Sequence, residues 1–417
     1  MGNLIEGKKV PELRFPGFTG EWEGKKLGEE FEFIKNYSYS RNDEGEGNYY
    51  HIHYGDIHSK YNSYIDADTK LPSIKNLDEH ITLDEFDIIL ADASEDYKDL
   101  GKATLLKKKS NRNIIAGLHT FALRIKNTKN IDAKYFLYYT KTDKYRKYMS
   151  KVGTGTSVFG INKKNLEETI IPLGHIYEQE KIGSFFYTLD QKLDLQKKRI
   201  EELKDYKKGM MQRIFDQEIR FKDENGQDYP DWEEKKLGEV FEESTLKLKD
   251  IKESERYTEL LSVTLYEGIK KQIELGDSDV SSIDKSNYKI VNKNDIVYNS
   301  MRMWQGASGV SQHDGIVSSA YVVLRPKKTI RSDFMARYFK DLKSIHKFYE
   351  RSQGMTSDTL TLRYNLFKDI LLTIPSLPEQ EKIASFLSAI DRRIELEEER
   401  LESYEEFKKG LMQRMFV

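Results

Sequence analysis

The stretch KKGMMQRIF at residues 207–215 returns as KKGLMQRMF at 408–416. Working outward, Glu178–Phe215 aligns without a gap on Glu379–Phe416, with 18 identities in 38 positions at an offset of 201. Each segment follows an Ile-Pro pair, Ile171-Pro172 and Ile374-Pro375, through loops that differ by two residues. Further upstream, EWEGKKLGEEFE at 21–32 matches DWEEKKLGEVFE at 231–242, and Arg14-Phe15 and Arg220-Phe221 precede them. Fainter echoes persist between: FDIILADAS from Phe86 resembles NDIVYNSMR from Asn294, and FALRI at 121–125 lies opposite VVLRP at 322–326. The chain is therefore two copies of one plan, a globular region followed by a helix. Residues 34–160 and 244–360 have diverged almost completely, so a shared frame holds two different inserts.

The seam positions of the repeated segment define its helix. Ile182, Phe186, Leu189, Leu193, Ile200, Leu203 and Met210 alternate at four and three residues, as do Ile383, Leu387, Ile390, Ile394, Leu401, Tyr404 and Leu411. That spacing predicts a coiled-coil seam. Gln196 and Lys207 interrupt the first seam, and Glu397 and Lys408 interrupt the second at matching places. Lys197 and Lys204 become Glu398 and Glu405 in the second copy, which favours pairing of the two helices with each other. The segments also carry opposite net charge: nine basic and seven acidic residues in the first, seven and ten in the second. Lys192, Arg199, Arg393 and Arg400 are basic in both copies, and are expected either to meet like charge in an antiparallel pair or to serve a third partner. About 35 helical residues span on the order of 50 Å. The expectation is two α/β (α+β) regions in pseudo-twofold repeat, separated by two long helices in an antiparallel coiled coil. The corresponding boundaries are 1–175 and 219–376 for the globular regions, with 176–218 and 377–417 for the helices.

A length of 417 residues suggests at least two cores. Cysteine is absent, which removes disulfides and thiol chemistry and fits a reducing cytoplasm. No apolar run has the length of a membrane span, so the expected location is cytoplasmic. With 68 Lys+Arg against 70 Asp+Glu, whole-chain charge does not decide for or against nucleic acid.

Local charge says more. FDIILAD, HTFALRI, NDIVYNS and SAYVVLR read as strands, and DAKYFLYYTKTDKYRKYMS and RSDFMARYFKDLKSIHKFYERS as helical stretches. From Lys98 to Lys126 there are eight basic residues and one acid, including Lys107, Lys108, Lys109, Asn111 and Arg112 in KKKSNRN. In the second region, Arg302, Trp304, Gln305, Gln312 and His313 lie in a Gly-rich loop. Lysines suit phosphates, whereas Arg, Asn and Gln can read base edges through paired hydrogen bonds. KVGTGTSVFGINKK and RSQGMTSDTLTLR precede the Ile-Pro junctions, and Thr154, Thr156, Thr356 and Arg363 there offer phosphate contacts. An ordinary loop is the competing reading of each.

No phosphate-binding Gly-Lys-Ser/Thr loop, dinucleotide fingerprint or helical zinc-histidine pair occurs. His51, His53 and His58 suit a structural or base-contacting role. No catalytic residues and no metal ligands are assigned.

The W..KKLGE entry, the IP…EQEKI junction, the repeated seam and the KKG.MQR.F close resemble the specificity subunit of type I restriction-modification systems, over essentially the whole chain. The resemblance implies two target-recognition domains, each reading half of a bipartite, asymmetric sequence in double-stranded DNA. It also implies that two modification subunits supply S-adenosylmethionine and methyl transfer, and that restriction subunits add ATP-driven translocation and cleavage with magnesium. No cofactor is then expected on this chain. The repeated helices, with the seam residues above, would form the spacer that contacts the modification subunits. Two other readings stay open: a coiled-coil scaffold that binds only proteins, and a self-sufficient nuclease or methylase.

Overall fold

The computed structural model describes residues 9–61, 63–75, 78–109, 111–251, 259–265, 268–275 and 284–417. The chain divides into two compact units. One holds the described residues through Lys198 together with Glu399–Val417, and the other holds Arg199–Glu398.

The first unit is built on a five-stranded sheet ordered Phe31–Ile34, Thr120–Ile125, Ile88–Ala91, Ala103–Leu106 and Tyr64–Ile65. Its pairs are antiparallel except the last. The second unit has a four-stranded antiparallel sheet: Phe241–Ser244, Tyr321–Pro326, Ile296–Asn299 and Ser308–Val310. The faint sequence echoes form its equivalent pairs, Ile88 opposite Leu123 and Ile296 opposite Leu324. Phe86 and Asn294 both take a φ of 72° at the turn into these strands. The aspartates that follow, Asp87 and Asp295, are both buried.

The repeated ends form a frame around each sheet. Glu23–Lys26 pairs with Ile170–Leu173, and Glu233–Lys236 pairs with Leu371–Ile374. The entry strand of each unit is thus bonded to the strand leading to its long helix, which is why both stretches stayed alike.

The stretches DAKYFLYYTKTDKYRKYMS and RSDFMARYFKDLKSIHKFYERS each divide into two helices, Ala133–Tyr139 with Asp143–Val152, and Ser332–Tyr338 with Leu342–Arg351. In the first unit Thr140 and Thr142 donate hydroxyl bonds back to the carbonyls of Leu137 and Tyr139, and Thr142 caps the next helix at Tyr145. Such hydroxyls compete with the helical ladder, so the chain turns there. Asp341 caps the corresponding helix of the second unit at Lys343.

Two long helices, Ile176–Phe215 and Leu377–Met415, carry the repeat. In the first unit Lys197 pairs with Glu405, and Lys408 with Asp190. In the second, Lys204 pairs with Glu398, and Lys207 with Asp391. Partner numbers fall as helix numbers rise, so the segments within each unit run antiparallel. The like-charge expectation is corrected in the same contacts. Arg199 and Arg393 both approach Glu397, which is 2% exposed, at 3.5 and 2.9 Å. The Lys192 ammonium sits 4.2 Å from the Tyr404 ring centre. A buried carboxylate and an aromatic face thus take up charges that the heptad diagram set against each other.

Ile182 and Phe186 are buried in the first unit's core with Tyr135, Tyr138 and Phe416. Leu193, Ile200, Ile383, Leu387, Ile390 and Ile394 are buried, and Leu189, Leu203, Leu401 and Tyr404 are partly so. Gly183 explains how closely the helix meets its own domain: a Cβ there would lie 2.7 Å from the Tyr135 backbone nitrogen.

The closing motif now has a physical role. Its first lysine, Lys207 or Lys408, meets an aspartate of the opposite helix segment within the same unit. Its phenylalanine, Phe215 or Phe416, packs against Tyr338 or Tyr135 at ring separations of 4.8 and 5.3 Å.

The EQ pair of the junction is a double latch. Glu178 is fully buried and accepts two bonds from Arg14, at 2.7 and 2.6 Å, and one from the Trp22 indole at 3.0 Å. Glu379 holds Arg220 and Trp232 in the same way. Gln179 accepts from the Asp132 amide and donates to the Asn130 and Gly174 carbonyls. Gln380 does the same with Arg331, Thr329 and Pro375.

Candidate nucleic-acid interface

The basic loop of the first unit is largely tied to its own domain. Arg112 donates to the carbonyls of Thr69, Asp66 and Lys109 at 2.7, 2.9 and 3.3 Å, and its guanidinium lies over Tyr50. Lys109 is bonded to the Leu83 carbonyl and to Asp84. Lys107 meets Asp66 at 2.7 Å and stands over Tyr187. Lys108 and Asn111 face solvent, and Asn111 has a φ of 59°. Ser110 in this loop lies outside the described residues.

In the second unit the structure gathers several of the singled-out residues. Arg302 is exposed and precedes a turn at Met303–Gln305, which Gly306 closes with a φ of 84°. Trp304 donates to the Met301 carbonyl and sits edge-on to Tyr349. The Leu362 amide bonds the Ser300 carbonyl, bringing the segment with Thr356 and Arg363 alongside this turn. Gln353 and Thr361 bridge the base of that segment, as Thr154 and Gly160 do in the first unit. Thr154, Thr156, Thr356 and Arg363 are exposed. Each hairpin also exposes one apolar side chain, Val158 or Met355.

Gln312 and His313 fall elsewhere, in a cleft of about 650 Å³ that also holds Lys207, Lys271, Arg337 and Lys340. The first unit has a cleft of about 680 Å³, where Lys107 joins Lys102, Lys141, Arg146 and Lys408. Lys102 belongs to the basic stretch counted in the sequence, whereas Lys141, Arg146 and Lys408 are distant along the chain and only the fold brings them to Lys107. Seven basic and five acidic side chains line the first cleft, and five basic and three acidic side chains line the second. Each cleft is therefore cationic by two, not counting histidine, in a chain whose net charge is −2. A local excess of this sign attracts anions.

The histidines are structural in their surroundings. His51 is fully buried, with Nε2 3.2 Å from Glu44, and Arg41 joins Glu44 to the buried Asp56. His53 accepts the Gly55 amide and caps the helix Tyr54–Ser59. Burial pushes the His53 imidazole down to about 4, and Arg41 and His51 act in the same direction. The unfolded chain takes up this proton below its ordinary value of 6.5, while the folded chain does so only near 4. Stability is thus lost as pH falls through that window. Between pH 6.5 and 4 the wild type should lose on the order of 2–3 kcal/mol more than His53→Asn, which can still cap the helix. Equal loss in denaturant titrations of the two proteins would contradict this.

Among the described residues, no group of three or more His, Asp or Glu side chains could hold a metal ion. No described helix is long and apolar enough to cross a membrane.

Two duplicated frames, one around a mixed sheet and the other around an antiparallel sheet, each with a cationic cleft, define a class of protein built from two like units with different inserts. The family described as the type I restriction modification DNA specificity domain matches residues 19–205 and 229–406. The chain belongs to this family: it is a type I restriction-modification specificity subunit, whose two target-recognition domains serve a bipartite DNA target. It is similar to the MjaVIII specificity subunit of Methanocaldococcus jannaschii, with 23% identity over 98% of this chain and 93% of that protein. A second protein of that organism, named for the MjaX type I restriction enzyme specificity subunit, is 25% identical over 94% of this chain and 92% of its own length. The fold is shared with the type I S subunit from M. genitalium, at a TM-score of 0.56 and 17% identity over 98% of this chain and 99% of that one. It is also shared with a chain solved in work on complex assembly and conformational transition of the type I R-M system, at a TM-score of 0.57 and 15% identity over 96% and 98%.

Proposed function

We propose that each globular region of this chain reads one half of an asymmetric split target, and that the chain presents the duplex to two copies of one modification subunit. The carrying observation is the repetition of exposed apolar side chains on the outer faces of the long helices. Leu195 and Leu396 are 69% and 42% exposed, and Tyr206 and Phe407 are 51% and 56% exposed, at equivalent positions. The ion-pair register sets Leu195 opposite Phe407 in the first unit and Leu396 opposite Tyr206 in the second. Gly209 and Gly410 lie one turn further on, and a Cβ at either would meet nothing within 4 Å. A glycine inside a helix costs roughly 1 kcal/mol relative to alanine. Its presence in both copies, with open space around it, favours close approach by an external chain, and two like surfaces favour two like partners.

In this reading the chain is non-catalytic and acts in the cytoplasm, where the DNA is. S-adenosylmethionine sits on the modification subunits, and ATP with magnesium serves the restriction subunits. The scaffold reading lacks support from the cationic clefts, and no described residue set favours independent chemistry. The purified chain, given S-adenosylmethionine, ATP and magnesium, should neither methylate nor cleave DNA. Adding the modification subunit should restore methylation in a particle whose mass contains two such subunits per chain. Activity of the chain alone, or a one-to-one particle, would overturn the reading.

A further inference from the structure

The two clefts share a constellation that the repeat places at corresponding points. In the first unit, Asp190 accepts from the Tyr138 hydroxyl at 2.7 Å and is paired with Lys408. Lys141 lies 3.9 Å from the same carboxylate and bonds the Ser63 hydroxyl. In the second unit, Asp391 accepts from Arg337 at 2.8 Å and is paired with Lys207. Lys340 lines the same cleft and donates to the Leu265 carbonyl at 3.1 Å. Tyr138 and Arg337 occupy equivalent positions, as do Lys141 and Lys340, each three residues further along. In both units the basic side chains lining the cleft outnumber the acidic ones by two.

We propose that each cleft binds a phosphodiester of the DNA backbone, with Lys141 and Lys340 as the ammonium groups that meet it, and that the clefts supply affinity without reading sequence. This rests on the DNA-reading assignment and extends it to named groups. Burial pushes the Lys141 ammonium down to about 8, with Asp190 opposing and Lys408, Arg146 and Lys102 reinforcing the fall. Lys340 is pushed down by burial and then by Lys207. A lysine held at such a disadvantage gains from a second anion. A phosphate is a fixed double acceptor that the cleft can admit beside the resident carboxylate. The side chains here are mainly lysines, which meet phosphate as point charges and lack the forked geometry of base readers.

The test uses the assembled complex with its modification subunits. Asp190 keeps Tyr138 and Lys408 in Lys141→Met, and Asp391 keeps Lys207 and Arg337 in Lys340→Met, so neither carboxylate is stranded. Binding to the cognate duplex and to a scrambled duplex of equal length is measured across a salt series. Each substitution should weaken both duplexes alike, by about five- to tenfold, and reduce the salt slope by about one, while the methylated motif stays the same. Lys141→Arg and Lys340→Arg should retain most of the slope. Unchanged affinity and slope in variants that melt like the wild type would overturn the proposal, as would a loss confined to the cognate duplex. A fall in melting temperature that arginine does not repair would mark a purely structural role and also overturn it. Displacement of the duplex by millimolar pyrophosphate from the wild type, but not from the methionine variants, would reassign the clefts to free phosphates. A wild-type complex that prefers no split motif would instead remove the DNA-reading assignment itself.

Discussion

Glu178→Ala is expected to destabilise the first unit by about 3–5 kcal/mol, with Glu379→Ala doing the same to the second. Each carboxylate is fully buried and joins three elements: a preceding Arg-Phe segment, the tryptophan ahead of the entry strand, and the start of a long helix. Alanine would strand the Trp22 indole N–H, in a residue 2% exposed, and leave the Arg14 guanidinium, 12% exposed, without its counter-charge. Gly174 lets the backbone approach the same latch, since a Cβ there would lie 2.4 Å from the Trp22 indole nitrogen and 2.7 Å from a Glu178 carboxylate oxygen. Glu178→Gln should cost less, since an amide can still accept the indole bond. Hydrogen exchange of the strand pair Glu23–Lys26 and Ile170–Leu173 reads the effect directly. Amide protection that changes by under 1 kcal/mol would show that the latch is incidental.

The second large effect concerns specificity. Exchanging residues 34–160 for those of a relative should replace one half of the recognised sequence completely and leave the other half intact. The exchanged segment contains four of the five strands of the first sheet and the buried cluster of Ile52, Ile57, Leu83 and Ile114. The frame pair Glu23–Lys26 with Ile170–Leu173 lies outside it. Since the second unit has its own sheet and core, its half-site should keep its discrimination, on the order of 10³ or more over unrelated sequence. Altered preference in both halves would mean that the units do not read independently.

Much of this organisation was legible in the sequence because duplication compares the chain with itself. Charge reversals visible in the repeat favoured pairing of the helices with each other, and the structure adds which residues meet, Lys197 with Glu405 and Lys204 with Glu398. The strand echoes were legible because short apolar runs fill a core, as all four residues of Ile88–Ala91 do. The latch was not. EQ recurs visibly, but its partners at Arg14 and Trp22 lie more than 150 positions away, and only the folded chain joins them. The fate of Arg199, Arg393 and Lys192 was hidden for a related reason. A heptad diagram gives charge positions, not the buried Glu397 and the Tyr404 ring that receive them. KKKSNRN looked like a free basic loop because two of the carbonyls that hold Arg112, those of Asp66 and Thr69, lie more than 40 positions away.

The most direct test of the central claim is a map of N6-methyladenine across the host genome with and without this gene. The expected result is the loss of methylation at one split motif, two short half-sites at fixed separation, with all other methylation unchanged. An identical map under conditions where the chain and its modification subunit are both expressed would contradict the reading of this protein as the determinant of a bipartite DNA target.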